Sequence, residues 1–274
     1  MIKGLFFDLD DTLLNSRKEI SKGTRIALEK CRSQGIKLFI ATARPPLLGK
    51  MLGWDDATLA LFGGGIYYNG GCVAFESNKD YIVIKDEVVN KTLQIVNQNE
   101  HVNVAVQLVE EGHSFRFPLS EPNSQKLWGI THKSIYPYPE AAKNNVVKIV
   151  VFYGDLVNST KKLEEKLVED LKSVCSTTAQ FYLTDDGKCA QIMGKGVSKL
   201  MGVEKIATSL GFGSDEIAVF GDDTNDVEML AGYKNSIAMG NANEFVKSKA
   251  AFVTHNNDND GIPYALANIL NLIE

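Results

Sequence analysis

Short apolar runs alternate with amphipathic segments at both ends of the chain. Residues 2–9 (IKGLFFDL) and 36–42 (IKLFIAT) are nearly continuous apolar runs, which is typical of strands buried on both faces of a parallel sheet. Between them, residues 21–34 place apolar side chains at helical spacing, with Ser21 as the expected N-cap and Gly35 as the C-terminal stop. This order predicts a β-α-β unit with a right-handed crossover.

The pattern changes in the middle of the chain, where the predicted strands pair in an antiparallel manner. The strands are expected at 103–109, 113–117, 144–154, 178–184 and 188–193, and the helices at 86–99, 121–129 and 158–173. Asp185-Asp186-Gly187 reads as the turn of a hairpin. This middle block is therefore expected to form an α+β domain of its own.

From about residue 195 the α/β alternation returns. Helices are expected at 197–210, 224–231, 243–249 and 260–272, and strands at 216–222, 235–240 and 251–255. Asp260 is expected to cap the last helix. The predicted fold is α/β: a Rossmann-like parallel-sheet core formed by residues 1–83 and 190–274, with an α+β cap domain, residues 84–189, inserted into it.

Composition and charge narrow the classes of protein that fit. Hydrophobic residues make up 44% and charged residues 23% of the chain, as in ordinary globular proteins. The net charge of −5 without a basic stripe argues against nucleic acid and membrane surfaces as partners. Four widely spaced cysteines without a C-x-x-C pair, and an N-terminus without signal-peptide features, indicate reduced thiols and a cytoplasmic location.

Three acids stand together where the first predicted strand ends: Asp8, Asp10 and Asp11. Two like charges about 4 Å apart repel by roughly 4 kcal/mol at an effective dielectric constant near 20. A sequence that places carboxylates together at the end of a buried strand is expected to use their charge. A divalent cation is the natural partner.

Polar residues of three more segments follow predicted strands or begin a helix. Thr42 follows the second strand, Asp222 follows the strand at 216–222, and Lys199 begins a helix. Ligands of parallel sheets bind at the carboxyl ends of the strands, so the four segments are expected to converge on one crevice. Carboxylate oxygens suit Mg²⁺, and a lysine suits a phosphate oxygen. Together they indicate phosphoryl transfer, with one carboxylate as nucleophile and a second as acid and base.

Four motifs carry a family resemblance: DLDDT at 8–12, ATAR at 41–44, KGVSK at 195–199 and GDDTND at 221–226. In order and spacing they resemble the haloacid dehalogenase-like (HAD) superfamily, specifically the Cof-type hydrolases with a subclass IIB cap. The resemblance spans nearly the whole chain and is stronger in the core than in the cap. It implies a Mg²⁺-dependent phosphatase that acts on small phosphorylated metabolites, with sugar phosphates as the expected class.

The resemblance also implies residue roles. Asp8 is the nucleophile and a Mg²⁺ ligand, and Asp10 is the general acid and base, with its backbone carbonyl on the metal. Asp222 binds the metal, Thr42 binds phosphoryl oxygens, and Lys199 steadies the nucleophile. Four residues support this set around the phosphate: Thr12, Ala43, Asn225 and Asp226. Arg44, His113 and Arg116 are weaker candidates for substrate contacts.

Some positions depart from the family pattern or compete with it. Asp11 and Ala43 stand where the family often has glycine, and Asp11 is given no catalytic role. Gln191 replaces a frequent glutamate and is a candidate for substrate contacts. Lys195 competes for the lysine role, but spacing favours Lys199.

Three other functions and one other site are compatible with parts of the sequence. A phosphosugar mutase would share all four motifs, whereas a non-catalytic phosphometabolite-binding protein would not need the intact acids and lysine. A dehalogenase would not need Asp10 as a second acid. The segment 255–261 mimics a calcium loop, but Ala267 stands where the bidentate glutamate would be required, so a calcium site is rejected. A monomer or a small homo-oligomer is expected.

Overall fold

The computed structural model describes residues 1–109, 112–119, 128–129, 135, 137–138, 145–154 and 160–274. The chain divides into two compact units. The core unit comprises Met1–Ala43, Trp54–Lys79 and Ser198–Glu274, and the inserted unit comprises Arg44–Gly53 and Asp80–Val197. The division after Lys79 lies four residues before the predicted boundary at 83, and the division after Val197 lies eight residues after the predicted boundary at 189. Segment 44–53, expected in the core, groups with the inserted unit.

Thirteen strands are found in the described residues. They are β1 Gly4–Phe7, β2 Lys37–Ala41, β3 Gly64–Tyr67, β4 Cys72–Phe75, β5 Asn78–Tyr81, β6 Val102–Leu108, β7 His113–Phe115, β8 Val146–Tyr153, β9 Ala179–Thr184, β10 Cys189–Gly194, β11 Ile217–Gly221, β12 Ser236–Ala238 and β13 Phe252–Val253. The α-helices are α1 Lys22–Ser33, α2 Leu48–Leu52, α3 Asp56–Leu59, α4 Asp86–Asn97, α5 Glu165–Cys175, α6 Lys199–Leu210, α7 Val227–Gly232, α8 Glu244–Lys247 and α9 Gly261–Tyr264.

The larger sheet has eight strands in the order β13-β12-β11-β1-β2-β3-β4-β5. Pairings from β13 through β3 are parallel, and β3 pairs with β4 in antiparallel orientation. All four residues of β1 and all five of β11 are buried, which explains their unbroken apolar character. Because β1 lies between β11 and β2, residues that directly follow these strands meet at one edge of the sheet.

Two helices of the core unit have the ends that their sequences predict. Ser21 caps α1 by accepting a hydrogen bond from the Thr24 amide at 3.0 Å, and the chain turns away at Gly35 with φ +84°. Ser198 likewise caps α6 by accepting from the Met201 amide at 3.1 Å. This cap places Lys199 at the first position of α6. The helix predicted after Ser21 is confirmed, and the helix predicted at 197–210 begins two residues later, at Lys199.

The smaller sheet, in the inserted unit, has the order β7-β6-β8-β10-β9, and its pairings are antiparallel. The apolar faces of α4 and α5 share one buried cluster with this sheet, which includes Val89, Leu171, Val104 and Ile149. The α+β character predicted for the middle block is therefore confirmed.

Two expectations about helix boundaries differ from the structure. Helix α5 begins at Glu165, and residues 160–164, expected in the same helix, lie outside it; the Leu163 amide there donates to the Gly187 carbonyl at 2.9 Å. The last α-helix, α9, ends at Tyr264, and one wider helical turn follows from Ala265 to Ile269. Of the helix predicted at 121–129, residues 121–127 lie outside the described residues.

The predicted cap at Asp260 is wrong. Asp260 has φ +50°, and its side chain makes no cap hydrogen bond to α9. Its Oδ1 atom instead accepts a hydrogen bond from the Ser21 hydroxyl at 3.2 Å, at the start of α1. Separately, no helix in the described ranges combines the length and apolar character needed to cross a bilayer.

Candidate active site

The acidic segment after β1 forms one wide turn. The amides of Leu13 and Leu14 donate to the carbonyls of Asp8 and Leu9 at 3.2 and 2.8 Å. Within the turn Asp11 has φ +61°, in the left-handed region that glycine adopts freely and that aspartate tolerates better than most residues. This conformation explains why glycine is frequent at this position of the family pattern.

The Lys199 ammonium lies between two carboxylates. Its Nζ atom is 2.5 Å from Oδ1 of Asp8 and 2.7 Å from Oδ1 of Asp226. Lys199 and Asp226 are fully buried, and Asp8 is 6% exposed. Lys195, the competing lysine of the same motif, is exposed. The structure therefore brings Lys199, and not Lys195, against the acid that follows β1.

Asp226 is held through both of its oxygens. Its Oδ2 atom accepts hydrogen bonds from the amides of Asp222 and Asp223 at 3.0 and 3.2 Å, while Oδ1 accepts from Lys199. A Cβ added at Gly221 would come within 2.4 Å of the Asp226 carboxyl carbon. The glycine thus makes room for the carboxylate to fold back over the loop.

A third carboxylate completes the group. Asp222 accepts a hydrogen bond from the Thr12 hydroxyl at 2.6 Å, which ties the loop after β11 to the turn after β1. Carboxylate oxygens of Asp8, Asp222 and Asp226 all lie within 4.8 Å of one another. We call these three residues the acidic cluster.

Burial and mutual repulsion both shift the pKa values of residues in the acidic cluster. Burial raises the pKa of Asp8 to about 8, with the charges of Asp226 and Asp10 adding to the rise and Lys199 opposing it. Burial also raises the pKa of Asp222 well above its ordinary value, helped by the charges of Asp8 and Asp226. Burial alone would lower the pKa of Lys199, but the charges of Asp226 and Asp8 outweigh it and raise that pKa.

These features fit a bound divalent cation. Three carboxylates converge where one buried ammonium contacts two of them, so further positive charge would stabilise their ionised forms. The ligands on offer are oxygens, as Mg²⁺ prefers. Because both oxygens of Asp226 already accept hydrogen bonds from protein groups, Asp8 and Asp222 are the better candidates for direct ligands.

Thr42 is joined to the site through a residue that the sequence motifs do not include. Thr42 follows β2 and is 1% exposed. Its carbonyl accepts a hydrogen bond from the Asn69 amide at 2.9 Å, and the Asn69 side-chain oxygen accepts from Nδ2 of Asn225, also at 2.9 Å. The Asn-Gly pair at 69–70 signals a turn, but nothing in its local sequence indicates these partners.

Lys18 is a second residue that motif analysis missed. Its Nζ atom lies 3.1 Å from Oδ1 of Asp10 and 3.3 Å from Oδ1 of Asp11. The Asp10 side chain is 36% exposed, so this pair is open to solvent, unlike the pair of Lys199 with Asp8.

The segment 255–261 braces the turn after β1 rather than forming a calcium loop. Asn257 donates through Nδ2 to the Leu14 carbonyl at 3.0 Å, and the Ser16 amide donates to Oδ1 of Asp258 at 2.8 Å. The side chain of Asn241 supports the same turn by donating to the Asp11 carbonyl at 2.8 Å.

Comparison with known proteins decides the family. A family model described as haloacid dehalogenase-like hydrolase matches residues 5–266. The chain belongs to the haloacid dehalogenase-like hydrolases. The resemblance predicted from the four motifs is therefore confirmed.

Similar proteins of this family carry phosphatase names. The 5-amino-6-(5-phospho-D-ribitylamino)uracil phosphatase YwtE of Bacillus subtilis (strain 168) is 26% identical over 289 residues, covering 98% of each sequence. Phosphoglycolate phosphatase of Methanobrevibacter smithii is 24% identical over 267 residues, covering 97% of each. The solved structure of BT4131, a sugar phosphatase of HAD subclass IIB, has a TM-score of 0.78 and 26% identity and covers 99% of this chain and 100% of that one.

These similarities identify this HAD-family chain as a phosphatase and confirm its α/β fold with a cap insertion. The phosphatases of this family are metal-dependent, and the acidic cluster provides a group of carboxylates that fits such an ion. Small phosphorylated molecules are the substrates that the names of these relatives indicate.

Two predicted substrate residues have other roles in the structure. His113 is fully buried, its Nε2 atom lies 3.2 Å from Nε2 of Gln107, and its ring stacks on Phe115. The guanidinium of Arg116 donates to the backbone carbonyls of Val96, Asn99 and Val102 at 2.6, 2.7 and 3.0 Å. These contacts give both side chains a structural role in the inserted unit. Their contact with the substrate stays a prediction from the resemblance.

The structure also shows the surroundings of three further predicted residues. Gln191 donates to the Thr184 hydroxyl at 2.7 Å within the smaller sheet, which favours a structural role over substrate contact. Arg44 is buried in the inserted unit and stays a predicted substrate residue. Ala43 is half-buried next to Thr42 and stays a predicted neighbour of the phosphate.

Proposed function

We propose that this HAD-family phosphatase hydrolyses phosphate monoesters of small metabolites, with sugar phosphates as the preferred class, using Mg²⁺ and a phosphorylated Asp8 intermediate. One observation carries the proposal. Asp8 is a buried carboxylate held at 2.5 Å by Lys199 inside a cluster of two further carboxylates. A carboxylate fixed in this way is suited to attack phosphorus, and the lysine offsets charge that would otherwise repel a phosphate.

The first half of the reaction forms a bond between Asp8 and phosphorus. A carboxylate oxygen of Asp8 attacks the phosphorus atom, the bond to the ester oxygen breaks, and Asp10 gives its proton to the departing oxygen. Lys199 keeps Asp8 oriented for this attack and stabilises the negative charge on the transferring group. Thr42 and Asn225 are the proposed hydrogen-bond donors to phosphoryl oxygens.

The second half regenerates the enzyme. Asp10, now ionised, takes a proton from a water molecule whose oxygen attacks phosphorus, and the bond to Asp8 breaks to release inorganic phosphate. Asp10 suits both steps because it stands two residues from Asp8 and its side chain is 36% exposed, so it can exchange protons with water. Ionised Asp8 is again paired with Lys199.

Asp8 and Asp222, together with the backbone carbonyl of Asp10, are the residues proposed to hold Mg²⁺. When bound, this ion supplies electrostatic stabilisation of the charge on the transferring phosphoryl group. Thr12 orients Asp222 for this role through its 2.6 Å hydrogen bond. Asp226 orients Lys199 from the opposite side of the ammonium at 2.7 Å.

The substrate class rests on the chemistry that similar proteins share. The similar proteins are named for a sugar phosphate, for phosphoglycolate and for a phosphoribitylamino compound. All three are small polar phosphate monoesters. Cytoplasmic localisation and a monomeric or small oligomeric state stay predictions from the sequence.

The test is phosphate release from a panel of phosphorylated metabolites with Mg²⁺. Asp8→Asn and removal of metal with EDTA are expected to abolish release, and added Mg²⁺ is expected to restore the EDTA-treated enzyme. Asp11→Asn is the matched control, because Asp11 is an exposed acid of the same turn without a proposed role; it is expected to retain activity. Phosphate release that survives Asp8→Asn would refute the assignment of Asp8 as the nucleophile. Isomerised phosphosugar in place of free phosphate would indicate a mutase.

A further inference from the structure

The turn that follows β3 carries none of the four motifs, yet it joins two of them. Asn69, at its centre, is fully buried. Its backbone amide donates to the Thr42 carbonyl and its Oδ1 atom accepts from the Asn225 side chain, each at 2.9 Å. Thr42 and Asn225 belong to loops after two different strands. One residue therefore sets the relative position of two loops proposed to bind the phosphoryl group.

The backbone of this turn adopts an unusual conformation. Tyr68, Asn69 and Gly70 have φ angles of +52°, +58° and +107°, and residues other than glycine pay a cost for such angles. A Cβ added at Gly70 would lie 2.3 Å from the Ser198 carbonyl, so the turn packs directly on the cap of α6, the helix that begins with Lys199. Strained backbone of this kind persists where the surroundings fix it, and it is frequent at functional sites.

We propose that Asn69 is a positioning residue of the phosphatase site, which orients the Asn225 amide through its side chain and holds the Thr42 loop through its backbone. This inference rests on the proposed function. Asn69 has no exposed surface, so it acts through the residues that it contacts and not on the substrate. Its Oδ1 atom accepts a hydrogen bond from Nδ2 of Asn225, and this bond restrains the rotation of that amide.

The decisive variant is Asn69→Gly. Glycine keeps the left-handed conformation and the backbone N–H that supports Thr42, and it removes the acceptor of Asn225. We expect kcat to fall about 3- to 10-fold, the effect of one lost hydrogen bond, with Mg²⁺ affinity unchanged because the acidic cluster is intact.

A double-mutant cycle separates positioning from general stabilisation. If Asn69 acts through Asn225, then Asn69→Gly will have no further effect on kcat in a protein that already carries Asn225→Ala. Independent, multiplying losses would overturn the inference, as would an Asn69→Gly enzyme with wild-type kcat. Asn271→Gly is the matched control, since Asn271 is an exposed asparagine that also has a positive φ of +51°.

The same variants distinguish failure of this inference from failure of the proposed function. Wild-type enzyme that releases no phosphate from any panel member would refute the function. In that case the affinity for inorganic phosphate in the presence of Mg²⁺, measured by calorimetry, replaces the turnover rate. Phosphate binding depends on the same two loops but does not require the reaction to occur. Weaker phosphate binding by Asn69→Gly than by wild type and by the Asn271→Gly control would support the inference, and equal binding by all three proteins would overturn it.

Discussion

The Nζ atom of Lys199 lies 2.5 Å from Oδ1 of Asp8, and both side chains are almost completely shielded from water. Separating either charge from its partner in such a place costs far more than at the surface, because a buried charge without a partner keeps none of its hydration. Lys199 also contacts Asp226 at 2.7 Å. The lysine therefore has a structural role besides the catalytic role proposed for it.

Replacing Lys199 with methionine should damage both functions. We expect phosphatase activity to fall by at least about 100-fold, the usual loss when a donor to a transferring charge is removed. Without metal at pH 8, the free energy of unfolding should drop by about 3–5 kcal/mol, because the carboxylates lose their buried cation. Lys195→Met is the control, since Lys195 is exposed in the same motif. Equal effects of the two substitutions, in kinetic assays and urea unfolding, would contradict this assignment.

The acidic cluster should make the metal-free protein less stable as pH rises. The pKa of Asp8 is raised to about 8 and that of Asp222 is also raised, chiefly by burial. In the unfolded chain both acids titrate near 3.8, so between these values the folded state holds more protons than the unfolded state. The contribution of these two groups to the free energy of unfolding is therefore greatest below about pH 4. This contribution is lost as the pH rises toward 8.

Asp222→Asn tests this linkage. The asparagine oxygen can still accept from Thr12, but the charge is gone, so in EDTA the variant should be more stable than wild type at pH 8 and the difference should shrink at pH 5. Mg²⁺ should stabilise wild type and leave the variant nearly unchanged. Urea unfolding across this pH range, with and without Mg²⁺, gives the comparison. If the variant is less stable than wild type at pH 8 in EDTA, repulsion between the carboxylates of the acidic cluster does not dominate its contribution to stability.

The convergence of the motifs was predictable because it follows from a general property of parallel sheets. β11, β1 and β2 are neighbours, so Asp222, Asp8 and Thr42 leave the sheet at the same edge. Each motif also has a local pattern, an apolar run that ends in polar residues. This pattern can be recognised without knowledge of the rest of the chain. The cap serines of α1 and α6 are local signals of the same kind.

Features that depend on distant partners were not predictable. Asn69 reaches Asn225 across 156 positions, and its own neighbours indicate no more than a turn. Asp260 stands where a helix cap would be expected, but it pairs with Ser21, 239 positions away. The burial of His113 and the backbone carbonyls around Arg116 also depend on distant segments, so the sequence alone does not reveal them.

Lys18 provides a test of how Asp10 is controlled. Its ammonium, 3.1 Å from Asp10, stabilises the ionised form of that acid, so Lys18→Met should make Asp10 easier to protonate. The alkaline limb of the pH–rate profile, where the proton for the leaving group is lost, should move to higher pH. An exposed pair contributes about 0.2–1 kcal/mol, so this displacement should be small. Lys22→Met, at an exposed lysine nearby, should leave the profile in place, and a shift to lower pH would refute the idea.

The φ of +61° at Asp11 predicts a sharp difference between two substitutions at one exposed site. Asp11→Gly should retain activity and keep the free energy of unfolding within about 0.5 kcal/mol, because glycine adopts this conformation without strain and the lost pair with Lys18 is solvent-exposed. Asp11→Val should cost about 1–3 kcal/mol and reduce phosphate release, because a β-branched residue resists this angle and would distort the turn that carries Asp8 and Asp10. Both variants keep the carbonyl that accepts from Asn241. Urea unfolding and phosphate release, measured side by side, check the pair, and equal stability of the two variants would mean that the turn does not constrain this position.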